Sequence, residues 1–322
     1  MSGHSTGVRV WRVKDAKQMA DMQSGCINCL AVSKDGRWIA AGTNLYGEVY
    51  VWDATTYEQV LVHQGCYTHA VNFSPDSARL VVASNSGTAT IWDLVSRERV
   101  QTLRHDGWVL SAKYSPQGDR IVTATRLGQV RVWDSNDGRL LVEIEVNVTP
   151  LWNNGLLWLN DHLFVVSDGK IKKFDASTGS IVSEWSIREC DDYSGIALPS
   201  NGEFLAYSTK RTVTFWDIST CTQLALIQRP KDIHSVAFSP DDRFLAIGGK
   251  DGKINIESLS RINVSSVSLD YCTFGQVRLT LLRRWQSHCL VYTQLSRNPT
   301  SSLTMLSLTH GNTTSWKAPT HY

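Results

Sequence analysis

The chain has 322 residues, 42% of them apolar, and a formal net charge of +2. That length allows two ordinary domains or one large one, the apolar content is enough for a core, and the absence of any long apolar run excludes a membrane-spanning helix. The charge balance does not indicate a general polyanion binder, and seven cysteines without a repeated spacing suit a reducing compartment better than a disulfide framework.

The chain opens Met1-Ser2-Gly3-His4, with no charged-then-apolar segment, so a secreted destination is not expected. A first strand-like run ends at Trp11-Arg12. Similar endings return at Trp52-Asp53, Trp92-Asp93, Trp133-Asp134, Phe174-Asp175, Trp216-Asp217 and Ile256-Glu257, in steps of 40 to 42 residues. Tight turns keep the same beat at Ser33-Lys34-Asp35-Gly36, Ser74-Pro75-Asp76-Ser77, Ser115-Pro116-Gln117-Gly118, Leu198-Pro199-Ser200-Asn201 and Ser239-Pro240-Asp241-Asp242. Two independent markers with one period make this a repeat array. The units are strands. Gln129 to Trp133 and Lys253 to Ile256 alternate polar and apolar, while Leu80 to Ala83 and Phe244 to Ile247 are continuous apolar runs of the kind buried on both faces. Four short strands in about 41 residues are one blade of a β-propeller.

The run Val236-Ala-Phe-Ser-Pro-Asp-Asp242, its continuation over residues 244–252 and the four Trp-Asp endings resemble WD40 repeats over about residues 7–260. The resemblance implies an all-β fold, a β-propeller with six complete blades at residues 26–63, 68–104, 108–144, 152–186, 193–228 and 233–269. Residues 8–23 supply only two outer strands of a seventh, whose open edge requires inner strands from the C-terminus. Val277 to Leu282 and Cys289 to Leu295 are the candidates. Residues 1–300 are thus read as the propeller, with 271–300 supplying closing strands, and 301–322 as a disordered tail. Residues 271–322 carry five Lys/Arg, no Asp or Glu, and 15 Ser or Thr. That shift fits a flexible tail, a poorly formed last blade or a faulty gene model.

The resemblance also implies a buried His–Asp–Ser/Thr–Trp hydrogen-bond tetrad, which no unit here completes. His105 takes the His position with Trp133 as its partner, but Leu127 stands in place of the acid. Asp168 and Asp251 keep the acid where Phe174 and Ile256 replace Trp, and Ser86 and Tyr46 replace the acid in two further units. The repeat ends Trp11, Trp52, Trp92, Trp133, Phe174 and Trp216 are read as core.

Several motifs carry no chemistry in this context. Gly3-His4-Ser5-Thr6-Gly7 lacks the strand that must precede a nucleophile elbow. Cys26 and Cys29 lie three apart on a strand and so point to opposite faces. His63, Cys66 and His69 lack a fourth ligand, and Gly248-Gly249-Lys250 is not a complete phosphate loop. No metal and no cofactor are expected. The usable hypothesis is a ring of loops on one propeller face. Asn85, Arg126, Lys210, Arg211 and Lys250 come from the turns between second and third strands, and His69, Trp108, Trp152, Tyr193 and His234 from the segments entering the inner strands. Cations mixed with aromatics suit acidic or phosphorylated peptides.

The resemblance therefore implies a non-enzymatic protein–protein interaction scaffold or adaptor, intracellular, cytoplasmic or nuclear, with protein or peptide partners and no nucleic acid. The alternative is a sensor segment of a larger signalling NTPase. A propeller enzyme would need convergent carboxylates or histidines. A phosphoinositide binder would need a glycine where Leu282-Arg283-Arg284 is followed by Trp285.

Overall fold

A computed structural model describes residues 2–4, 7–12, 15, 17–44, 47–146, 155–187, 195–239, 241–249, 251, 253–261, 280–281, 292–294, 304–308 and 314–315. The period of the sequence becomes a period of sheets. The short strand β1 (Ser2–His4) is followed by β2 (Gly7–Arg12) and β3 (Lys17–Gln23). The first blade then comprises β4 (Ile27–Val32), β5 (Trp38–Thr43), β6 (Glu48–Asp53) and β7 (Gln59–Gln64), and the second β8 (Thr68–Phe73), β9 (Arg79–Ser84), β10 (Thr88–Asp93) and β11 (Arg99–Arg104). The third holds β12 (Val109–Tyr114), β13 (Arg120–Thr125), β14 (Gln129–Asp134) and β15 (Leu140–Glu145), and the fourth β16 (Leu156–Leu159), β17 (His162–Ser167), β18 (Lys170–Asp175) and β19 (Ile181–Ser186). The fifth has β20 (Gly195–Ala197), β21 (Phe204–Ser208), β22 (Thr212–Asp217) and β23 (Gln223–Gln228). The sixth shows three strands among the described residues, β24 (Ile233–Phe238), β25 (Phe244–Gly249) and β26 (Ile254–Ser258).

The turn markers act as the sequence suggests. Ser33, Ser74 and Ser239 each donate their hydroxyl to the aspartate two residues on, and each receives the backbone N–H that opens the second strand. At the other end, Asp53, Asp93, Asp134, Asp175 and Asp217 accept backbone N–H groups two and three residues later, closing the turn into the outer strand. The aromatic repeat ends sit at a register shift against the outer strand in five blades and in β2. Trp11, Trp52, Trp92, Trp133 and Phe174 are buried, and Trp216 is half-buried.

The core lies between blades. Val81, Ala83 and Ile91 of the second pack on Ala112, Tyr114 and Trp133 of the third, and Val122 and Val132 of the third pack on Leu163 and Phe174 of the fourth. The same arrangement joins β2 and β3 to the first blade, through Val8, Val10 and Met22 against Leu30, Ile39 and Trp52.

The chain ends meet in a further sheet of order β28-β29-β1-β2-β3, where β28 is Tyr292–Gln294 and β29 is Thr304–Leu308. Trp11 pairs with Met305 and Arg12 with Thr304. The expectation for the closing strands is corrected in two places. Within Val277 to Leu282, the strand β27 (Thr280–Leu281) pairs with β30 (Thr314–Ser315) and not with the closing sheet. Of Cys289 to Leu295, Tyr292–Gln294 does enter that sheet, but it reaches β2 through Thr304–Leu308, a stretch assigned to the tail. Residues 271–322 contain none of the Pro-Asp or Asp-Gly punctuation that fixed strand ends elsewhere, so alternation alone could not set the register.

Candidate binding face

In each of the first three blades the turn between second and third strands lies beside the segment entering the inner strand. Backbone hydrogen bonds tie them: Asn44 N to Cys26 O at 3.1 Å, Asn85 N to Tyr67 O at 3.0 Å, and Arg126 N to Trp108 O at 2.9 Å. The repeat therefore places Arg126 and Trp108 side by side, although they are far apart in sequence. The Arg126 guanidinium lies 4.8 Å over the Trp108 ring, which is 41% exposed.

A row of rings continues inward from this pair. His69 stacks on Trp108 at 6.0 Å, and Tyr67 lies 4.7 Å from His69. The Tyr67 hydroxyl donates to Asn28 Oδ1 at 3.4 Å, and Asn28 Nδ2 donates to the Thr68 carbonyl at 2.7 Å. This polar layer joins the inner strands of the first and second blades.

The ten ring candidates do not share one environment. Trp108, Arg126, Lys210 and Arg211 are exposed, and Asn85 is half-exposed. Arg211 pairs with Asp232 at 3.3 Å, while the Lys210 carbonyl accepts from Ile233 N at 2.6 Å. His69 and His234 are corrected from loop residues to buried ones, because both are the second residue of an inner strand, at a register shift against the strand that follows. Trp152, Tyr193 and Lys250 lie outside the described residues.

Beneath the face, His105 Nε2 and Trp133 Nε1 both lie 2.8 Å from Thr123 Oγ1. Thr123 Oγ1 accepts from Trp133 Nε1 and donates to the Arg131 carbonyl at 3.4 Å, so both indole and imidazole converge on one hydroxyl. The other ring nitrogen, Nδ1, is buried with no side-chain partner among the described residues. Burial, followed by the charge of Arg131, lowers the His105 pKa to about 4. An unfolded chain takes up this proton near the ordinary 6.5 and the folded one near 4. Stability is therefore full above pH 6.5 and falls as pH drops through that window, by about 3 kcal/mol in all. Urea unfolding at pH 7.5 and 4.5 checks this. The pH difference should shrink in His105→Leu, and an unchanged difference would assign it elsewhere. The turn carboxylates do not confuse the comparison, since Asp134, held down first by the Asn136 N–H, titrates below the window.

Three residues escaped the sequence reading. Tyr67 was hidden by lying one residue before an inner strand. Leu127 was counted only as a lost acid, yet it is 56% exposed. Lys113 lies on an inner strand, where burial brings its amine down to about 8. Stepping 41 residues from Asn72 lands on Lys113, which was the available signal. Of the tempting thiol and imidazole motifs, Cys26, Cys29 and His69 are buried, His63 is half-buried and Cys66 is exposed. Burial raises the Cys29 thiol to about 12, and the His63 ring lies 4.1 Å from that of Trp92.

The family model described as WD domain, G-beta repeat matches residues 18–53, 57–93, 97–134 and 222–256. The retinoblastoma-binding-like protein E of Dictyostelium discoideum is 23% identical over 258 residues, 76% of this chain and 45% of that protein. The serine-threonine kinase receptor-associated protein of Gallus gallus is 25% identical over 224 residues, 68% of this chain and 57% of that one. Periodic tryptophan protein 2 of Saccharomyces cerevisiae is 34% identical over 83 residues, 24% of this chain and 9% of its own length. The chain thus spans between 9% and 57% of these relatives. Among solved structures, the Kuenenia stuttgartiensis hydrazine synthase superposes with a TM-score of 0.65 at 16% identity, covering 73% of this chain and 77% of that one, a likeness of fold. Each matched repeat takes an outer strand and the three inner strands of the blade that follows, and the chain carries four WD40 repeats.

Proposed function

We propose that this chain is a non-enzymatic protein-interaction scaffold that receives an acidic or phosphorylated segment of a partner on the face carrying Trp108, Arg126, Lys210 and Arg211. The observation that carries the reading is the Arg126–Trp108 pair. A large ring is left 41% exposed and is held under a guanidinium that makes no ion pair among the described residues. Trp and Arg are the residue types that dominate binding hot spots. The names of two relatives, retinoblastoma-binding-like and receptor-associated, describe proteins that engage other proteins.

Changing Arg126, Lys210 and Lys250 together to Glu is expected to reduce retention of acidic and phosphorylated peptides on the immobilised protein. At the exposed Arg126 and Lys210 the stability change should stay within about 0.5 kcal/mol for each site. Unchanged retention would count against the face. We also infer that the sheet joining the chain ends is a seventh blade that closes the ring. Strand β28 adjoins β24 of the sixth blade, and β28, β29 and β1 adjoin β4 of the first.

A further inference from the structure

We propose that the third blade has exchanged a structural carboxylate for a binding residue. Trp108, Arg126 and Leu127 form one anchor site for an extended partner segment in which a bulky apolar side chain stands beside an acidic residue. This rests on the reading of the face as a partner surface and names the chemistry it selects.

The exchange shows from below and from above. Below, the third blade keeps the His105–Thr123–Trp133 chain at 2.8 Å on both sides, yet Nδ1 of His105 is buried without a side-chain partner among the described residues. The acid that would partner that nitrogen in a WD40 repeat is replaced by Leu127. In the fourth and sixth blades the acid is present and engaged, Asp168 with Lys172 at 3.6 Å and Asp251 with Lys253 at 3.8 Å. The substitution therefore leaves the buried Nδ1 without the side-chain partner that an acid at this position would supply.

Above, Leu127 is 56% exposed and its side chain lies against Gly107, the residue before Trp108. A Cβ at Gly107 would stand 3.0 Å from Leu127 Cγ and Cδ1, so the leucine rests directly on the backbone of the residue before Trp108. Single exposed apolar side chains are ordinary, but a leucine and a tryptophan carried on adjoining segments with an arginine over the ring are not scattered surface. Leu127 and Trp108 supply an apolar floor. Arg126 supplies a charge that can pair in bidentate fashion with a carboxylate. The neighbouring acid, Asp106, faces Arg131 at 3.8 Å.

The test pans a phage-displayed library of random dodecapeptides on the intact chain. The enriched peptides are then resynthesised and titrated by fluorescence anisotropy against variants. Enriched sequences should pair Phe, Leu, Ile, Met or Trp with an adjacent Asp or Glu. Leu127→Asp should weaken the selected peptide about tenfold or more while raising the melting temperature by about 2 °C, because the new carboxylate partners His105 Nδ1. Leu127→Ala should lose affinity without that rise. Opposite signs for binding and stability in Leu127→Asp are what a merely structural role cannot give. Enrichment of acidic peptides lacking an apolar partner, full affinity in Leu127→Asp, or a lowered melting temperature would overturn the exchange while leaving the basic face standing. Enrichment no greater than on the Arg126, Lys210 and Lys250 triple reversal would overturn both.

Discussion

Deleting residues 1–24 is expected to lower stability by about 5 kcal/mol or more and to leave the chain polydisperse. The deletion removes β2 and β3, whose Val8, Val10, Trp11 and Met22 are all at least 94% buried. Burial of side chains this size is worth about 1.5–3 kcal/mol each, and the lower end of that sum allows for a compact unfolded state. The loss falls on the first blade, because Leu30, Ile39 and Trp52 would then face water. It also frees strand edges that now pair within the closing sheet, which invites association between chains. Equilibrium urea unfolding and light scattering check both effects. Unchanged melting and unchanged dispersity would mean that the terminal sheet does not hold the ring.

Thr123→Val, a substitution that keeps the shape of the side chain, should cost about 4 kcal/mol, because each buried polar group left unpaired costs about 1–3 kcal/mol. Thr123 is fully buried, and its hydroxyl is the meeting point of His105 Nε2 and Trp133 Nε1. Valine fills the same space, so no cavity contributes to the cost. Thr123→Ser keeps the hydroxyl and should recover most of the loss. A Val variant as stable as the wild type would show that blade-to-blade packing alone sets stability and that the His105–Thr123–Trp133 chain is incidental.

Most of the fold could be read from the sequence because its determinants are local. A turn such as Ser74-Pro75-Asp76-Ser77 writes its own hydrogen bonds, Ser74 to Asp76 and Arg79 N to Ser74, within six residues. The terminal sheet was harder to read because it pairs Trp11 with Met305, residues far apart in the sequence, with no turn signal to fix the register. The candidate face was half legible. The 41-residue step put Trp108 and Arg126 in equivalent loops, and their backbone bond follows from that. The burial of His69 and His234 depends instead on a register shift at the second residue of each inner strand, which no local residue pattern marks. Leu127 illustrates the remaining difficulty. The pattern shows that an acid is missing, whereas its meaning came from the orphaned Nδ1 below and the exposed Trp108 above.

The most direct test of the central claim, that the third-blade face is where partners dock, is site-specific photocrosslinking. A benzophenone amino acid would replace the exposed Asp106, in the loop that carries Trp108, in one sample and Val182, which is 50% exposed on the outer strand of the fourth blade, in another. Adducts with partner proteins are predicted from position 106 and not from position 182. Adducts formed equally at both, or from the outer strand alone, would contradict the claim.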